Sequence, residues 1–455
     1  MSRKQADNMT HPSLYANELM EELIFNMVTV PSLNRKLPPI MVWGQPGVGK
    51  SDIVKQIGKK YNRPVIDIRL LLKDPTDMSG IPYYNPSSRR MDYAPPSELP
   101  PSHSEMEYLK GVTNELGVAA SSVEPALVVP TGRELATLME KVESPDRHGE
   151  ITEHEKSQLL ALVLQGDAII FLDELSSAPP AVQAAALQLV LDRRVGTYVL
   201  PPTVSMVAAG NRSEDATVHF SMPAPLRNRF SHFTLECSYD AWETWAIDTG
   251  IHPAVIGFLK ANQGKLNTFD PKNRHVYAFA TPRTWAFVSE VLWALSDEQG
   301  RVRNDSGVRK RLQNQVQSIV GVGVGSEFMA SFEVIGQLPD AMDILEGKVK
   351  TFDMQSLKNS AAYSLIVNLC YRMRETENRL KAEDAANGKP TGKFTDTMNR
   401  YGDNYLRFLM ENLDYQEDFI VMGAIISMTQ YDLSIKTCDA LEELLDKHEN
   451  ILNMI

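Results

Sequence analysis

The chain is short of three things, and each shortage closes off a class of protein. It has 3 cysteines in 455 residues, Cys237, Cys370 and Cys438, far apart and odd in number. That excludes a disulfide framework and reads as buried free thiols in a reducing compartment. Although 43% of its residues are hydrophobic, it has no run of about 18 apolar residues, the length a membrane-crossing helix needs. It also lacks an excess of positive charge. Lys and Arg number 46 against 58 Asp and Glu, a net charge of −12. A sequence-independent grip on nucleic acid needs a basic footprint, so the balance speaks against such a binder and leaves room only for a local basic patch. The 9 histidines show no metal-ligand spacing. His148 and His154 lie in a polar stretch and read as solvated surface residues. Behind Arg3 and Lys4 there is no apolar stretch of the kind a secretory signal carries, and the expectation is a cytoplasmic protein with no membrane contact.

A chain of 455 residues is too long for one simple core and predicts two to three domains. Residues 1–37 read as a helical segment, with Leu19, Met20, Leu23, Ile24 and Met27 at helical spacing. Apolar runs at 40–43, 64–70, 167–172, 203–209 and 231–235 read as strands, and 51–61 reads as a helix with Ile53, Val54 and Ile57 on one face. Strand, loop, helix, strand is the opening of a parallel α/β sheet, and 38–238 is expected to form that unit. Two insertions interrupt it. Residues 74–104 are rich in turn signals, and Tyr83, Tyr84 and Tyr93 flank Asn85–Arg90 as in a protruding hairpin. Residues 105–165 look helical and polar. Ser176 and Ser177 are placed to cap a helix whose first turn holds Pro179 and Pro180. After about residue 238 strand patterns stop. Residues 239–380 read as a helical lid with Trp242, Trp245, Trp285 and Trp293 in its core, and 381–455 as a polar linker (382–393) and a helical tail. Gly321, Gly323 and Gly325 imitate a dinucleotide loop, but no strand precedes them, so a close-packed turn is the better reading.

Five motifs carry chemistry. Gly44, Gln45, Pro46, Gly47, Val48, Gly49, Lys50 and Ser51, followed by Asp52, form a Gly-x4-Gly-Lys-Ser loop between a strand and a helix. Glycines let the backbone N–H groups close on phosphates, Lys50 supplies charge to them, and Ser51 can offer its hydroxyl to Mg²⁺. Four apolar residues, Ile169, Ile170, Phe171 and Leu172, then deliver Asp173 and Glu174 to the C-terminal edge of a strand. There Asp173 would hold Mg²⁺ and Glu174 would orient the attacking water. Asn211 follows a further core strand at Gly210 and can bond that water or the γ phosphate. Arg227 and Arg229 stand two apart before the last strand. An arginine at a subunit edge can reach a neighbour's site, and Arg229 is taken ahead of Arg227 for that role. Arg283 lies just inside a helix opened by Thr281 and Pro282, a place that suits a cation only if an anion faces it.

In this order the motifs resemble AAA+ ATPases, and most closely the MoxR-like group. The resemblance covers about residues 38–300, including the stretch from Leu175 to Gln183, the segment from Asp74 to Gly80 that leads into the hairpin, and the turn from Val195 to Pro201. It implies an α/β fold, a P-loop AAA+ parallel sheet with flanking helices, followed by an all-α lid and a C-terminal helical extension. It implies ATP and Mg²⁺ as cofactors, with Lys50 and Ser51 in Walker A and Asp173 and Glu174 in Walker B. Asn211 then corresponds to sensor 1, Arg229 (or Arg227) to the arginine finger and Arg283 to sensor 2. It also implies a homo-oligomer, a hexameric ring, and chaperone-like remodelling of a protein partner, in some members one with a von Willebrand factor A domain. The chain departs from the group in the length of its 105–165 insertion and of its helices after 300. Two alternatives stay open: a nucleic-acid-dependent motor or loader on the same fold, and a nucleotide-gated scaffold with little turnover.

Overall fold

The computed structural model describes residues 11–447 other than 34, 87–88, 119–128, 131, 213, 216–219, 274, 298–300, 304, 355–358, 388–391, 414–415 and 436. The tip of the expected hairpin, part of the expected linker and the last eight positions therefore lie outside the described residues. The chain divides into two compact units, Met1–Glu236 and Cys237–Ile455.

The first unit is built on a six-stranded sheet that is parallel throughout. Its strands are β1 (Ser13–Leu14), β2 (Ile40–Trp43), β3 (Val65–Arg69), β6 (Ile169–Asp173), β9 (Ser205–Gly210) and β10 (Ser231–Leu235). They lie in the spatial order β1, β10, β2, β9, β6, β3. The remaining strands make two antiparallel hairpins, β4 (Ile81–Asn85) with β5 (Arg90–Ala94) and β7 (Arg194–Val195) with β8 (Tyr198–Val199).

The unbroken apolar runs have a direct cause. Both faces of the sheet are covered, so all but one end residue of each central strand is buried, and alternate residues enter different cores. Ile169 and Phe171 join Ile40, Val42, Val207 and Ala209 on one face, packed with Ile53, Val54 and Ile57 of the helix Lys50–Lys60. Ile170 and Leu172 join Met41, Met206 and Ala208 on the other, packed with Val182, Ala186 and Leu189 of the helix Pro180–Asp192. Each fully buried side chain of this size contributes about 1.5–3 kcal/mol. The 105–165 insertion holds helices His103–Glu115, Gly132–Val142 and Glu153–Leu164, which share a small core of their own. There His148 is half-buried, its Nε2 at 3.0 Å from the Val142 carbonyl, and not the solvated residue expected.

Two features of this unit were not readable as elements. The two-residue strand β1 extends the sheet beyond β10. Arg63 gathers the strand starts: its guanidinium donates to the carbonyls of Met27 (2.7 Å), Asp167 (2.6 Å), Ala168 (3.3 Å) and Thr203 (3.0 Å) and to Ser205 Oγ (2.9 Å).

The second unit has no strand among its described residues. One apolar core runs from Tyr239 to Leu444. The helix Asn359–Asn387 passes through position 380 without a break, and Met398, Tyr405, Leu409 and Leu444, read in the sequence as part of a tail, share the core with Trp242, Phe258 and Trp285. Helix Pro253–Ala261 lies against Asn359–Asn387 at Gly257, where an added Cβ would come within 2.0 Å of Ser364 Oγ. Gly321, at φ +89°, is the turn between helices Ser306–Val320 and Val322–Ile335, and Gly325 packs on Gln317, so this glycine cluster serves close packing. No helix among the described residues is long and apolar enough to cross a membrane.

Candidate functional site

The spatial order of the strands decides what can meet. Strand β9 lies between β2 and β6. Adjacent strands are about 4.8 Å apart, so the loop after β2 and the carboxylates after β6 stand roughly 10 Å apart across the C-terminal edge of the sheet. The tip of β9 fills the floor between them. In an open parallel sheet this edge is where ligands bind.

The loop after β2 has the backbone its glycines allow. Gly47 and Gly49 adopt φ of +77° and +100°, values that L side chains rarely take. Gly49 is the N-cap of helix Lys50–Lys60 and offers no side-chain cap, so the helix's first N–H groups are left for an anion. Asp52 is exposed in the first turn, and Lys59 and Lys60 in the last, which suits the helix dipole. Gly44 approaches β10: a Cβ there would meet the Leu235 carbonyl at 3.0 Å.

Lys50 turns back over this loop. Its Nζ donates to the carbonyls of Gly44 (2.8 Å) and Gln45 (3.0 Å) and to Asn211 Oδ1 (3.1 Å). The third contact joins two motifs 161 residues apart. Ser51 makes no side-chain hydrogen bond among the described residues, which leaves its hydroxyl available at the helix start.

The carboxylates lie one strand further on. Asp173 is half-buried, and burial holds its carboxyl above the usual range. The Glu174 N–H, which donates to Asp173 Oδ1 at 2.9 Å, and Lys50 pull it down, and Asp67 pushes it up. Asp67 reaches the site through pairing of β3 with β6, which sets Asp67 beside Phe171 and Arg69 beside Asp173. One oxygen of Asp67 is buried with no hydrogen-bond partner among the described residues. Glu174 has φ +57° and ψ +31°. A non-glycine residue there costs about 1–2 kcal/mol, and such strain persists where the surroundings fix a functional side chain.

Asn211 is held from beneath. Ser176 and Ser177 do not cap the next helix, which starts at Pro180 with Pro179 in the cap position and no side-chain cap. Proline at the first helical position already supplies the required φ and lacks a donor needing a cap. The serines are buried in the turn Leu175–Ser177. There Ser176 Oγ accepts from the Asn211 N–H and donates to the Asn211 carbonyl, both at 3.1 Å. Gly210 makes room for it, since a Cβ would lie 2.6 Å from Ser176 Oγ. On the far side Arg212 pairs with Asp215 and with Glu236 (3.3 Å), tying the Asn211 loop to the end of β10. The sequence signal for that clasp was an arginine three residues before an acid in a loop, too common to single out.

Arg227 closes the short helix Ala224–Arg227 and Arg229 lies in the turn before β10. Both side chains are exposed, and neither forms an ion pair among the described residues. The backbone of Arg227 is fixed: His232 Nε2 bonds its carbonyl at 2.8 Å, while His232 Nδ1 accepts from Trp43 Nε1 at 3.0 Å. These two bonds set the imidazole tautomer and connect the arginine segment to the residue before the glycine loop. Arg283 is exposed in the first turn of helix Pro282–Leu295, in the second unit. Thr281 caps that helix, accepting from the Thr284 N–H at 3.2 Å.

The donor set fits a Mg²⁺–nucleoside triphosphate. It offers a glycine cradle with uncapped helix amides, one ammonium, one hydroxyl with no other duty, and a carboxylate that burial leaves in want of a cation. Among the described residues no cluster of three or more His, Cys, Asp or Glu could hold a metal ion.

No protein-family model matches the chain, and no curated protein matches it. Among solved structures it is similar to the Thermotoga maritima RuvB Holliday junction branch migration motor, at 10% identity over 85% of this chain and 86% of that one, with a TM-score of 0.28. Two variants of that motor match at the same identity and TM-score. A superposition this loose adds nothing to what the strands and loops display directly.

Proposed function

We propose that the chain is an AAA+ ATPase that binds ATP on the loop Gly44–Ser51 and hydrolyses it. The observation that supports this most strongly is the 3.1 Å contact between Lys50 Nζ and Asn211 Oδ1, at the same sheet edge as Asp173 and Glu174. The residues this reading assigns to phosphate binding, water activation and water sensing thus end their strands at one edge of the sheet. In this reading the loop amides and Lys50 hold the β and γ phosphates. Glu174 accepts a proton from the attacking water, and Asn211 orients that water. Ser51 and Asp173 would hold Mg²⁺, which supplies neutralisation of the phosphate charge.

The finer reading is a MoxR-like enzyme, cytoplasmic and assembled as a homo-oligomeric ring, a hexamer, that remodels a protein partner, one bearing a von Willebrand factor A domain being a candidate. Exposed Arg229 and Arg227, without ion-pair partners among the described residues, suit a site completed by the neighbouring subunit. Arg283 suits a sensor carried by the second unit. Lys50→Ala is expected to abolish ATP binding. Glu174→Gln is expected to bind ATP and not turn it over, and normal steady-state hydrolysis by that variant would sink the assignment. An ATPase rate that rises with added DNA or RNA and falls steeply with salt would move the protein to the nucleic-acid motor. Tight binding without turnover in the unaltered chain would make it a scaffold.

A further inference from the structure

The second unit holds a cavity of about 580 Å³, within the size range of small-molecule sites. One wall is apolar and aromatic: Trp293, Met329, Phe332 and Leu338 line it. Trp293 is set in place beforehand, its Nε1 bonded to the Gly250 carbonyl at 3.1 Å and its ring 5.5 Å from that of Tyr371. The polar lining is lopsided. Among the described lining residues the charged ones are Arg301, Arg303, Arg309 and Arg372 against Glu333 and Asp340, in a chain whose net charge is −12.

Ion pairs engage two of these four arginines, Arg301 and Arg372. Arg372 pairs with Glu375 at 2.5 Å. Arg301 pairs with Asp297 (3.1 Å) and Asp340 (3.4 Å). Asp340 is further engaged as the cap of helix Ala341–Leu345, accepting from the N–H groups of Met342 (2.9 Å) and Asp343 (3.3 Å). Arg303 and Arg309 have no carboxylate within 4.0 Å among the described residues. Arg303 and Arg309 are exposed where they line the cavity, and the planar forks of guanidinium groups suit carboxylate, sulfonate or phosphate oxygens.

We propose that this cavity binds a small organic anion with a flat apolar body, the body against Trp293 and Phe332 and the anionic head at Arg303 and Arg309. The site lies wholly within the second unit and does not depend on the nucleotide reading.

The test uses the full chain and two dyes of similar shape, 8-anilinonaphthalene-1-sulfonate and its neutral counterpart N-phenyl-1-naphthylamine, titrated by fluorescence. The sulfonate is expected to bind in one equivalent. Joint Arg303→Glu and Arg309→Glu is expected to weaken it roughly tenfold or more and leave the neutral dye within about twofold. Gly336→Phe is expected to abolish both, since Gly336 lines the cavity at φ −65° and an added Cβ there meets nothing nearer than 3.5 Å. Unchanged sulfonate affinity in the charge-reversed protein, or equal weakening of both dyes, overturns the anion site. Retention of both dyes by Gly336→Phe overturns the cavity as their location. Thermal unfolding and circular dichroism accompany each variant; should the reversal unfold the chain, Arg303→Gln with Arg309→Gln removes the charges at nearly constant size and is read by the same criteria.

Discussion

The two units use unusual residues for different ends. In the first, four unusual positions sit at the tips of neighbouring strands: Gly47 and Gly49 shape a loop, Glu174 holds a left-handed conformation, and Gly210 admits the serine that clamps Asn211. In the second, the exceptional positions sit between helices and point at packing. Gly257 lets two helices touch, Gly321 turns one helix into the next, and Glu243, 2% exposed, is satisfied by Tyr239, Lys260 and Gln430. The lesson is that chemistry concentrates where a strand ends and its orphaned backbone is free for a ligand, whereas helix–helix contact spends its glycines on proximity.

That contrast can be broken by experiment, and the largest effect should come from the first unit. Glu174→Gln is expected to lower ATP turnover by roughly 10²–10⁴-fold with little change in the unfolding midpoint; a loss of stability matching the loss of rate would erase the distinction. Gly257→Ala should do the opposite. Its methyl group collides with Ser364, and overpacking of that kind costs about 3 kcal/mol, read as a lower denaturant midpoint of the second unit with ATP still bound by the first. Arg283→Ala is the crossing case, a second-unit residue given a chemical role. A fall in turnover of about 10²-fold, the size seen when one transition-state donor is lost, with unchanged stability would carry chemistry into the helical unit; no change would keep the division clean. Arg63→Ala removes a guanidinium that satisfies four carbonyls and is expected to cost about 2 kcal/mol in chemical denaturation without altering nucleotide affinity.

The smallest effect concerns Asp173. Its folded-state pKa is raised, chiefly by burial. The folded state therefore holds that proton more tightly than the unfolded chain does. The associated stability is fully present below the ordinary aspartate value and is lost as pH rises through the folded value. Asp173→Asn is accordingly expected to raise the unfolding midpoint of the nucleotide-free protein at neutral pH while turnover is lost. A lowered midpoint would mean that the ionised carboxylate supports the fold.

How much of this was legible beforehand depended on the range of the interaction. The glycine loop, Asp173 with Glu174, and the five longer strands are local patterns, and the parallel sheet followed from their order. The pairing of Ser13 and Leu14 with β10 was not legible, because two residues carry no periodicity. Neither was the electrostatic influence of Asp67 on Asp173, which arises because β3 lies beside β6. Ser176 was misread as a cap because serine before a proline-led helix has two uses, and only the neighbouring strand decides between them. The helices after 380 looked like a tail because residues 382–393 read as a polar linker; of these, 382–386 are the largely exposed end of a helix whose earlier turns are buried.

The contact between Lys50 and Asn211 bears on timing. Lys50 rests on two carbonyls of its own loop and on the amide oxygen of Asn211, so the lysine and the asparagine engage each other. A phosphate that recruits the ammonium trades neutral acceptors for charged ones, and the same exchange sets the asparagine side chain loose. Under the proposed function, occupancy of the loop and release of the residue that would steer water would form a single event: the pair would work as an interlock, with no separate signal needed between them.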